Sequence, residues 1–234
     1  MFRQLIDRAS ALPASQCAVC RAWPTPLPIC EECVAEFGQP EPRCQTCALP
    51  VMGSVLRCGA CVLAPPPLDH CLTAVGYGFP WQDLVMNFKF KDAPGWASMF
   101  AVIMKSMPGV ESALDNADLL LPLPLSQTRL KGRGFNQALE LAMALEPAKT
   151  RSRLLLRIKD TPAQSLLDRA ARLTDVQDAF AIDPLVTAQI RGKRVVLVDD
   201  VMTTGATLFA AARALRSSGA AHITGLVFAR TALE

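Results

Sequence analysis

The clearest hydrophobic pattern lies near the C-terminus, where two short apolar runs flank a polar turn and a helix-forming segment. Residues 195–198 are four aliphatic residues in succession, which is typical of a strand buried on both faces of a parallel sheet. Residues 208–215 have high helix propensity and end before Ser217 and Gly219, and residues 221–229 predict a further strand. Because two parallel strands joined by a helix cross over in the right-handed sense, this order predicts a doubly wound α/β sheet.

The same alternation of strands and helices extends upstream through the middle of the chain. Apolar runs at residues 72–77 and 118–123 predict two more strands. Residues 81–90 and 138–145 carry apolar side chains at helical spacing and predict helices with one core-facing side. Together these elements predict an α/β fold, a parallel sheet flanked by helices.

Two carboxylates and a hydroxyl-rich turn follow the strand at residues 195–198. Asp199 and Asp200 lie where that strand is predicted to end, and there they can accept hydrogen bonds from vicinal hydroxyls or hold a divalent cation. The turn leads into a helix, so its backbone N–H groups and hydroxyls can hold a phosphate. Its residues are Thr203, Thr204, Gly205, Ala206 and Thr207. Together the two features predict a sugar phosphate ligand; the alternative is a solvated turn with a helix cap.

A second segment suited to anions lies between the strand at residues 118–123 and the helix at residues 138–145. It carries Arg129, Lys131 and Arg133 with two glycines just before the helix. Between residues 129 and 172, ten Lys and Arg stand against four acids, although the net charge of the chain is only +3. This local excess of positive charge favours an anionic ligand. By contrast, we interpret Lys89 and Lys91 as a solvated rim, with contact to a phosphate as the alternative.

Eight of the nine cysteines form four C-x-x-C pairs in the N-terminal part of the chain. Two such pairs can complete the closed, tetrahedral Cys₄ shell of a structural zinc site, so two Zn²⁺ ions are expected. The alternatives are one occupied site, or disulfides, which a reducing compartment disfavours. Consecutive pairing is the simplest arrangement and cross-bracing is the alternative. The predicted ligands are Cys17, Cys20, Cys30, Cys33, Cys44, Cys47, Cys58 and Cys61.

Three prolines at residues 65–67 predict a boundary between two domains. Residues 1–64 would form an N-terminal helix and a zinc-ribbon-like module, and residues 65–234 the α/β domain, with Cys71 as a small core residue. Residues 1–12 predict an amphipathic helix and lack the apolar run of a signal peptide, and no apolar segment is long enough to span a membrane. We therefore expect a cytoplasmic protein. Docking of this helix at the inner membrane surface is the alternative to its packing on the protein.

Residues 195–208 resemble the phosphoribosyl pyrophosphate (PRPP) motif of type I phosphoribosyltransferases. The resemblance implies that Asp199 and Asp200 contact the ribose hydroxyls, directly or through Mg²⁺, and that residues 203–207 wrap the 5′-phosphate. It also implies that the segment with Arg129, Lys131 and Arg133 holds pyrophosphate. Purine-salvage enzymes commonly carry an acidic residue at the position of Thr203, and a threonine cannot serve as that base.

Three short motifs make the resemblance more specific. P-x-P-L at residues 122–125, R-G-F-N-Q at residues 133–137 and T-P-A-Q-S-L at residues 161–166 are similar to those of the ComF family. Members of this competence-associated family join a cysteine-rich zinc module to a phosphoribosyltransferase domain. By position, residues 161–172 correspond to the flexible hood of related enzymes, and residues 153–158 would be the strand before it. Arg157, Lys159 and Arg169 would then stabilise the departing pyrophosphate; the alternative is that each is an ordinary surface cation.

The family resemblance implies a function in DNA uptake and natural transformation. As an enzyme, the protein would transfer the phosphoribosyl group of PRPP, with Asp199, Asp200 and the cations at positions 129, 131 and 133 as catalytic residues. The alternatives are an accessory protein that binds single-stranded DNA or senses PRPP, and a nucleobase-salvage phosphoribosyltransferase. Implied partners are single-stranded DNA and proteins of the uptake machinery, for which the zinc module would be a docking element.

Overall fold

The computed structural model of the protein describes residues 15–91, 93–159 and 178–232. The helix predicted over residues 1–12 and the hood segment predicted over residues 161–172 lie outside the described residues. Within those three ranges, no helix combines the length and apolar composition that a membrane crossing requires.

The described residues contain six strands, four of which form a parallel sheet. The strands are β1 (His70–Gly76), β2 (Leu119–Pro122), β3 (Leu155–Arg157), β4 (Phe180–Ile182), β5 (Arg194–Met202) and β6 (His222–Arg230). The sheet has the order β1-β6-β5-β2, so β5 and β6 lie at its centre. The strand predicted at residues 153–158 is β3, and it pairs with β4 in a separate antiparallel ribbon.

Helices cover both faces of the sheet. They are α1 (Glu31–Phe37), α2 (Gly59–Leu63), α3 (Trp81–Phe90), α4 (Trp96–Ser106), α5 (Val110–Asp115), α6 (Gln127–Arg133), α7 (Gln137–Leu145) and α8 (Ala206–Ser217), and a 3₁₀ turn spans Pro184–Gln189. On one face α3, α4 and α7 enclose an aromatic core, in which the rings of Phe100 and Phe228 stack with centroids 3.9 Å apart. On the other face α8 packs with the β3–β4 ribbon. This arrangement confirms the predicted α/β fold, because an all-parallel sheet must be covered on both faces.

Two elements near the predicted site differ from the sequence pattern. The apolar run ends at Val198, but β5 continues to Met202 because its pairing with β6 also continues, with Asp199 opposite Val227. The two aspartates therefore lie within the strand and not in a turn after it. The segment at residues 124–137 contains α6, because the Ser126 side chain caps the first turn and accepts the N–H of Arg129 at 3.3 Å.

The cysteine-rich segment packs directly against the α/β elements. Trp81 on α3 donates its indole N–H to the carbonyl oxygen of Phe37 at 2.8 Å, next to the first group of cysteines. The second group lies beside β1, where the backbone N–H of Cys71 donates to the carbonyl oxygen of Gln45 at 2.7 Å. Cys71 is buried, as expected of a small core residue. Both cysteine groups share apolar clusters with the sheet, and the division at residue 65 stays a prediction.

Candidate functional site

The two aspartates lie at the carboxyl end of β5 in different environments. Asp200 is buried, and its Oδ1 is 3.0 Å from Nζ of Lys89, which is itself largely buried at the end of α3. Asp199 is partly exposed, and its Oδ1 accepts the backbone N–H of Asp200 at 2.9 Å. The solvated-rim interpretation of Lys89 is therefore wrong: this lysine is the cation that balances a buried carboxylate of the site.

Placing two carboxylates so close together changes the acidity of one of them. Burial, and secondly repulsion from Asp200, raise the pKa of Asp199 to about 7, although Lys89 and Arg133 act in the opposite sense. A carboxyl group that ionises reluctantly is suited to a ligand that brings positive charge or hydroxyl donors with it. The acid pair can thus receive a divalent cation or a diol.

The turn after β5 forms a small cup, which is lined by Asp199, the end of β5, Thr203 and residues 205–207. Gly205 has φ of +85°, and a Cβ there would lie 2.5 Å from Cε of Met202, so the close turn requires glycine. Among the described residues, the N–H groups of Thr203, Thr204 and Gly205 have no backbone acceptor. With α8 starting at Ala206, these donors and the helix dipole form a site that favours an anion.

Helix α6 places two of the three predicted cations at the site. Arg129 and Arg133 are four residues apart, so they share one face of α6, and both line a cavity of about 200 Å³ with Asp199 and Asp200. Lys131 lies two residues from each and is therefore on another face of the helix, where it is exposed. The structure brings Arg129 and Arg133 to the acid pair and does not bring Lys131 there.

The R-G-F-N-Q motif has a structural reason at several of its positions. Gly134 ends α6 with φ of +77°, and the Asn136 side chain caps α7 by accepting the N–H of Ala138 at 3.0 Å. Gln137 accepts a hydrogen bond from Nη1 of Arg133 at 2.9 Å and lines the same cavity. The motif therefore shapes the turn that connects the cationic helix to the core.

Gln137 is a site residue that sequence reasoning missed. Its side chain is almost fully buried, and its Nε2 is the one buried side-chain nitrogen or oxygen without a hydrogen-bond partner in the described part of the chain. A buried donor without a partner is rare unless a ligand or water completes it. Arg157 of β3 also lines the cavity, as the predicted contact with an anion requires. Lys159 is exposed, and its Nζ lies 3.5 Å from Oδ2 of Asp178.

A larger cavity of about 290 Å³ lies at the opposite edge of the sheet, next to His70, Arg194 and His222. These residues are at or near the amino ends of their strands. Ligands of open α/β sheets bind outside the carboxyl ends of the strands, where the acid pair and the anion loop are found. The smaller cavity is therefore the candidate active site.

The eight paired cysteines form two compact groups in consecutive order, the arrangement predicted as simplest. The first tetrad is Cys17, Cys20, Cys30 and Cys33, and the second tetrad is Cys44, Cys47, Cys58 and Cys61. In each tetrad the four sulfur atoms lie within 4.8 Å of one another.

The sulfur separations fit a metal shell better than disulfides. The distances between Sγ atoms are 3.8 Å for Cys17 and Cys33 and 3.6 Å for Cys47 and Cys58. A Zn–S distance of about 2.3 Å places tetrahedral ligands about 3.8 Å apart, whereas a disulfide requires about 2.05 Å. In the first tetrad burial opposes ionisation of the thiols: it raises the pKa of Cys33 to about 11, whereas in Cys17 hydrogen bonds led by the N–H of Cys30 outweigh it and lower the pKa to about 6. Both tetrads can therefore hold zinc.

The fold and site together define a phosphoribosyltransferase-type domain joined to a module with two cysteine tetrads. Residues 152–232 match the phosphoribosyl transferase domain family. The chain is 30% identical over 209 residues to DNA utilization protein YhgH of Escherichia coli strain K12, which covers 87% of this chain and 90% of that protein. It is 27% identical to Competence protein F of Haemophilus influenzae, over 83% of this chain and 85% of that protein. It is 35% identical to Competence protein ComFC of Bacillus subtilis, over 66% of this chain and 62% of that protein. The chain belongs to the ComF family.

Proposed function

We propose that this protein binds PRPP with Mg²⁺ at the carboxyl edge of the sheet and acts as a phosphoribosyltransferase-like protein of DNA uptake. The observation that carries the proposal is the grouping of three features around one cavity of about 200 Å³. These are the acid pair, the loop at residues 203–207 and the cationic face of α6. They match the hydroxyls, the 5′-phosphate and the pyrophosphate of one ligand.

Each part of the site has a role in this proposal. The N–H groups and hydroxyls of residues 203–207 bind the 5′-phosphate. Asp199 and Asp200 orient the ribose through its hydroxyls or hold Mg²⁺, which when bound would offset the charge of the pyrophosphate. Lys89 limits the net charge of the acid pair, so that an anionic ligand is not repelled.

Transfer from PRPP would require stabilisation of charge in two places. The bond between C1 of the ribose and the pyrophosphate oxygen breaks, leaving positive charge on the ring and negative charge on the leaving group. Asp199 and Asp200 lie where they can stabilise the ring, and Arg129 and Arg133 where they can stabilise pyrophosphate. Lys131 stays a predicted member of this group, and its exposed position suits contact with a ligand that extends beyond the cavity.

The role in DNA uptake is supported by relatives named for competence and for DNA utilization. In this proposal the two tetrads hold structural Zn²⁺ and stabilise the N-terminal module, residues 1–64, as a docking element for other uptake proteins. The acceptor of the phosphoribosyl group is a nucleobase or an amine.

Binding of PRPP is tested by isothermal titration calorimetry of the zinc-loaded protein with Mg²⁺. We expect Asp199→Asn to weaken PRPP binding at least tenfold. Asp118→Asn is the matched control because Asp118 lies at the other edge of the sheet, beside Lys193. Equal affinity for the two variants would contradict the proposed site.

Turnover is tested by the release of pyrophosphate from PRPP in the presence of nucleobases and amines. Release that depends on an acceptor supports the transferase activity. Binding without release would restrict the function to PRPP sensing. Salt-dependent binding of single-stranded DNA without any binding of PRPP would refute the proposal.

A further inference from the structure

Arg230, at the end of β6, is a buried arginine without a carboxylate partner in the described residues. Its side chain is 2% exposed, and no ion pair within those residues includes it. It donates from Nε to the carbonyl oxygen of Cys47 at 2.9 Å. From Nη1 it donates to the carbonyl oxygens of Met202, at 3.1 Å, and of Thr203. One guanidinium therefore joins the second tetrad to the start of the loop at residues 203–207.

These contacts restrict the direction of the peptide groups in the loop. In a trans peptide, the C=O of one residue and the N–H of the next point in opposite directions. Because Arg230 holds the carbonyl oxygens of Met202 and Thr203, the N–H groups of Thr203 and Thr204 point away from the arginine. They belong to the donors that have no backbone acceptor among the described residues and that a phosphate can use.

The charge of Arg230 is explained by the tetrad as well. A buried guanidinium requires a nearby negative charge. A Cys₄ zinc centre supplies one, since four thiolates outnumber the two positive charges of the ion. The geometry therefore couples occupancy of the second tetrad to the position of Arg230.

Two further contacts fix Met202, the residue that precedes the loop. Sγ of Cys71 lies 3.7 Å from Sδ of Met202, and the N–H of Thr231 donates to the carbonyl oxygen of Met202 at 3.1 Å. The first tetrad has no comparable contact: within the described residues, no hydrogen bond connects it to the loop.

We propose that Arg230 is a positioning residue that holds the loop at residues 203–207 in its phosphate-binding conformation, and that metal in the second tetrad maintains Arg230 in that position. The inference rests on the proposed function for its ligand, but the coupling between metal and loop can be measured without any ligand. The first tetrad provides an internal comparison.

The first experiment measures amide hydrogen exchange in the full, zinc-loaded chain without ligand. It follows three N–H groups whose acceptors lie in or next to the loop, those of Ala206, Phe209 and Thr231, and exchange at these amides is the loop exchange compared below. Cys58→Ser removes a ligand from the second tetrad, and Cys20→Ser removes one from the first; zinc content by mass spectrometry should fall by one ion in each. We expect exchange in the loop to accelerate about tenfold in Cys58→Ser and to stay at the wild-type rate in Cys20→Ser. Equal exchange in the two variants would overturn the coupling.

The second experiment keeps all zinc ligands and changes the arginine. Arg230→Lys retains the charge but cannot donate from two separated nitrogens to Cys47 and Thr203. Arg43→Lys is the control, because Arg43 donates to the carbonyl oxygen of Ala48 near the same tetrad and has no hydrogen bond to the loop. We expect both variants to keep wild-type zinc content. Affinity for PRPP and for inorganic phosphate should fall about tenfold in Arg230→Lys only.

The two experiments separate the inference from the proposed function. If the wild-type protein binds neither PRPP nor phosphate, the proposed function fails, and exchange in the loop still decides whether Arg230 couples it to the metal. If Cys58→Ser does not fold, loop exchange in Arg230→Lys and Arg43→Lys still decides whether Arg230 positions the loop. Unchanged loop exchange and affinity in Arg230→Lys would refute the positioning role.

Discussion

Replacing Lys89 with methionine should destabilise the protein, because it removes the only cation paired with Asp200 among the described residues. Nζ of Lys89 is 3.0 Å from Oδ1 of Asp200, and the two side chains are only 15% and 9% exposed. Methionine keeps most of the apolar stem of lysine, so its packing against α3 and the sheet should change little. The main consequence is a carboxylate left buried next to Asp199.

The size of the effect follows from the burial of the pair. Removing one partner of a fully buried ion pair costs about 3–5 kcal/mol, because the other charge is left uncompensated. Lys89 and Asp200 retain some exposure to the cavity, so we expect the free energy of unfolding to fall by about 2–3 kcal/mol. For a chain of this length that corresponds to a decrease of roughly 5–10 °C in melting temperature.

The assay is urea unfolding at pH 7.5 of the zinc-loaded wild type, Lys89→Met, Asp200→Asn and the double variant. Because the double variant has neither charge, it should recover about 2 kcal/mol relative to the sum of the single changes. Lys193→Met is the matched control, because Lys193 pairs with Asp118 at 3.5 Å with both side chains well exposed. It should change stability by less than about 0.5 kcal/mol. A Lys89→Met variant as stable as Lys193→Met would refute the reasoning.

Three further predictions concern the acid pair, the loop and the cavity. Because the pKa of Asp199 is raised to about 7, ionisation of this group destabilises the folded protein as pH rises toward 8. In urea unfolding, the free energy of unfolding of Asp199→Asn should therefore exceed that of the wild type by about 1–2 kcal/mol at pH 8 and equal it near pH 4. Gly205→Ala should lower stability by about 1–3 kcal/mol and abolish PRPP binding, because the new Cβ clashes with Met202 in a left-handed turn; calorimetry showing normal binding would contradict this. Gln137→Leu should lower the free energy of unfolding by about 1 kcal/mol or less, because the Gln137 Nε2 has no hydrogen-bond partner in the described protein. The same change should weaken PRPP binding about tenfold, and an unchanged Kd would exclude contact between Gln137 and the ligand.

The fold could be predicted largely from local hydrophobic patterns. The aliphatic run at residues 195–198 identified the central strand, because only a strand covered on both faces tolerates it. The C-x-x-C spacing predicted two tetrads and left both consecutive pairing and cross-bracing open; the structure shows the consecutive order. The end of β5 could not be predicted in this way, since its last residues are held by backbone pairing with β6 and not by an apolar pattern.

The site was less predictable because its charges come from distant parts of the chain. Asp199, Asp200 and the threonine loop follow one strand and form a local motif, whereas Lys89 is more than a hundred residues upstream and had no local signal. Arg129 and Lys131 are indistinguishable in a loop, but α6 separates them by helical geometry. Ser126 as the N-cap and Gly134 after the last turn form too weak a pattern to reveal that helix in advance.

Two buried cations outside the motif maintain its geometry. Lys89 reaches the acid pair from α3, and Arg230 holds the carbonyl oxygens of the loop from the end of β6. Neither residue belongs to the motif at residues 195–208. A chain can therefore carry that motif and still lack a lysine at the acid pair and an arginine at the loop. Without Lys89 the acid pair would repel an anion, and without Arg230 the loop donors would lose their orientation. It follows that the motif identifies the kind of ligand, whereas affinity depends on residues that the motif does not contain.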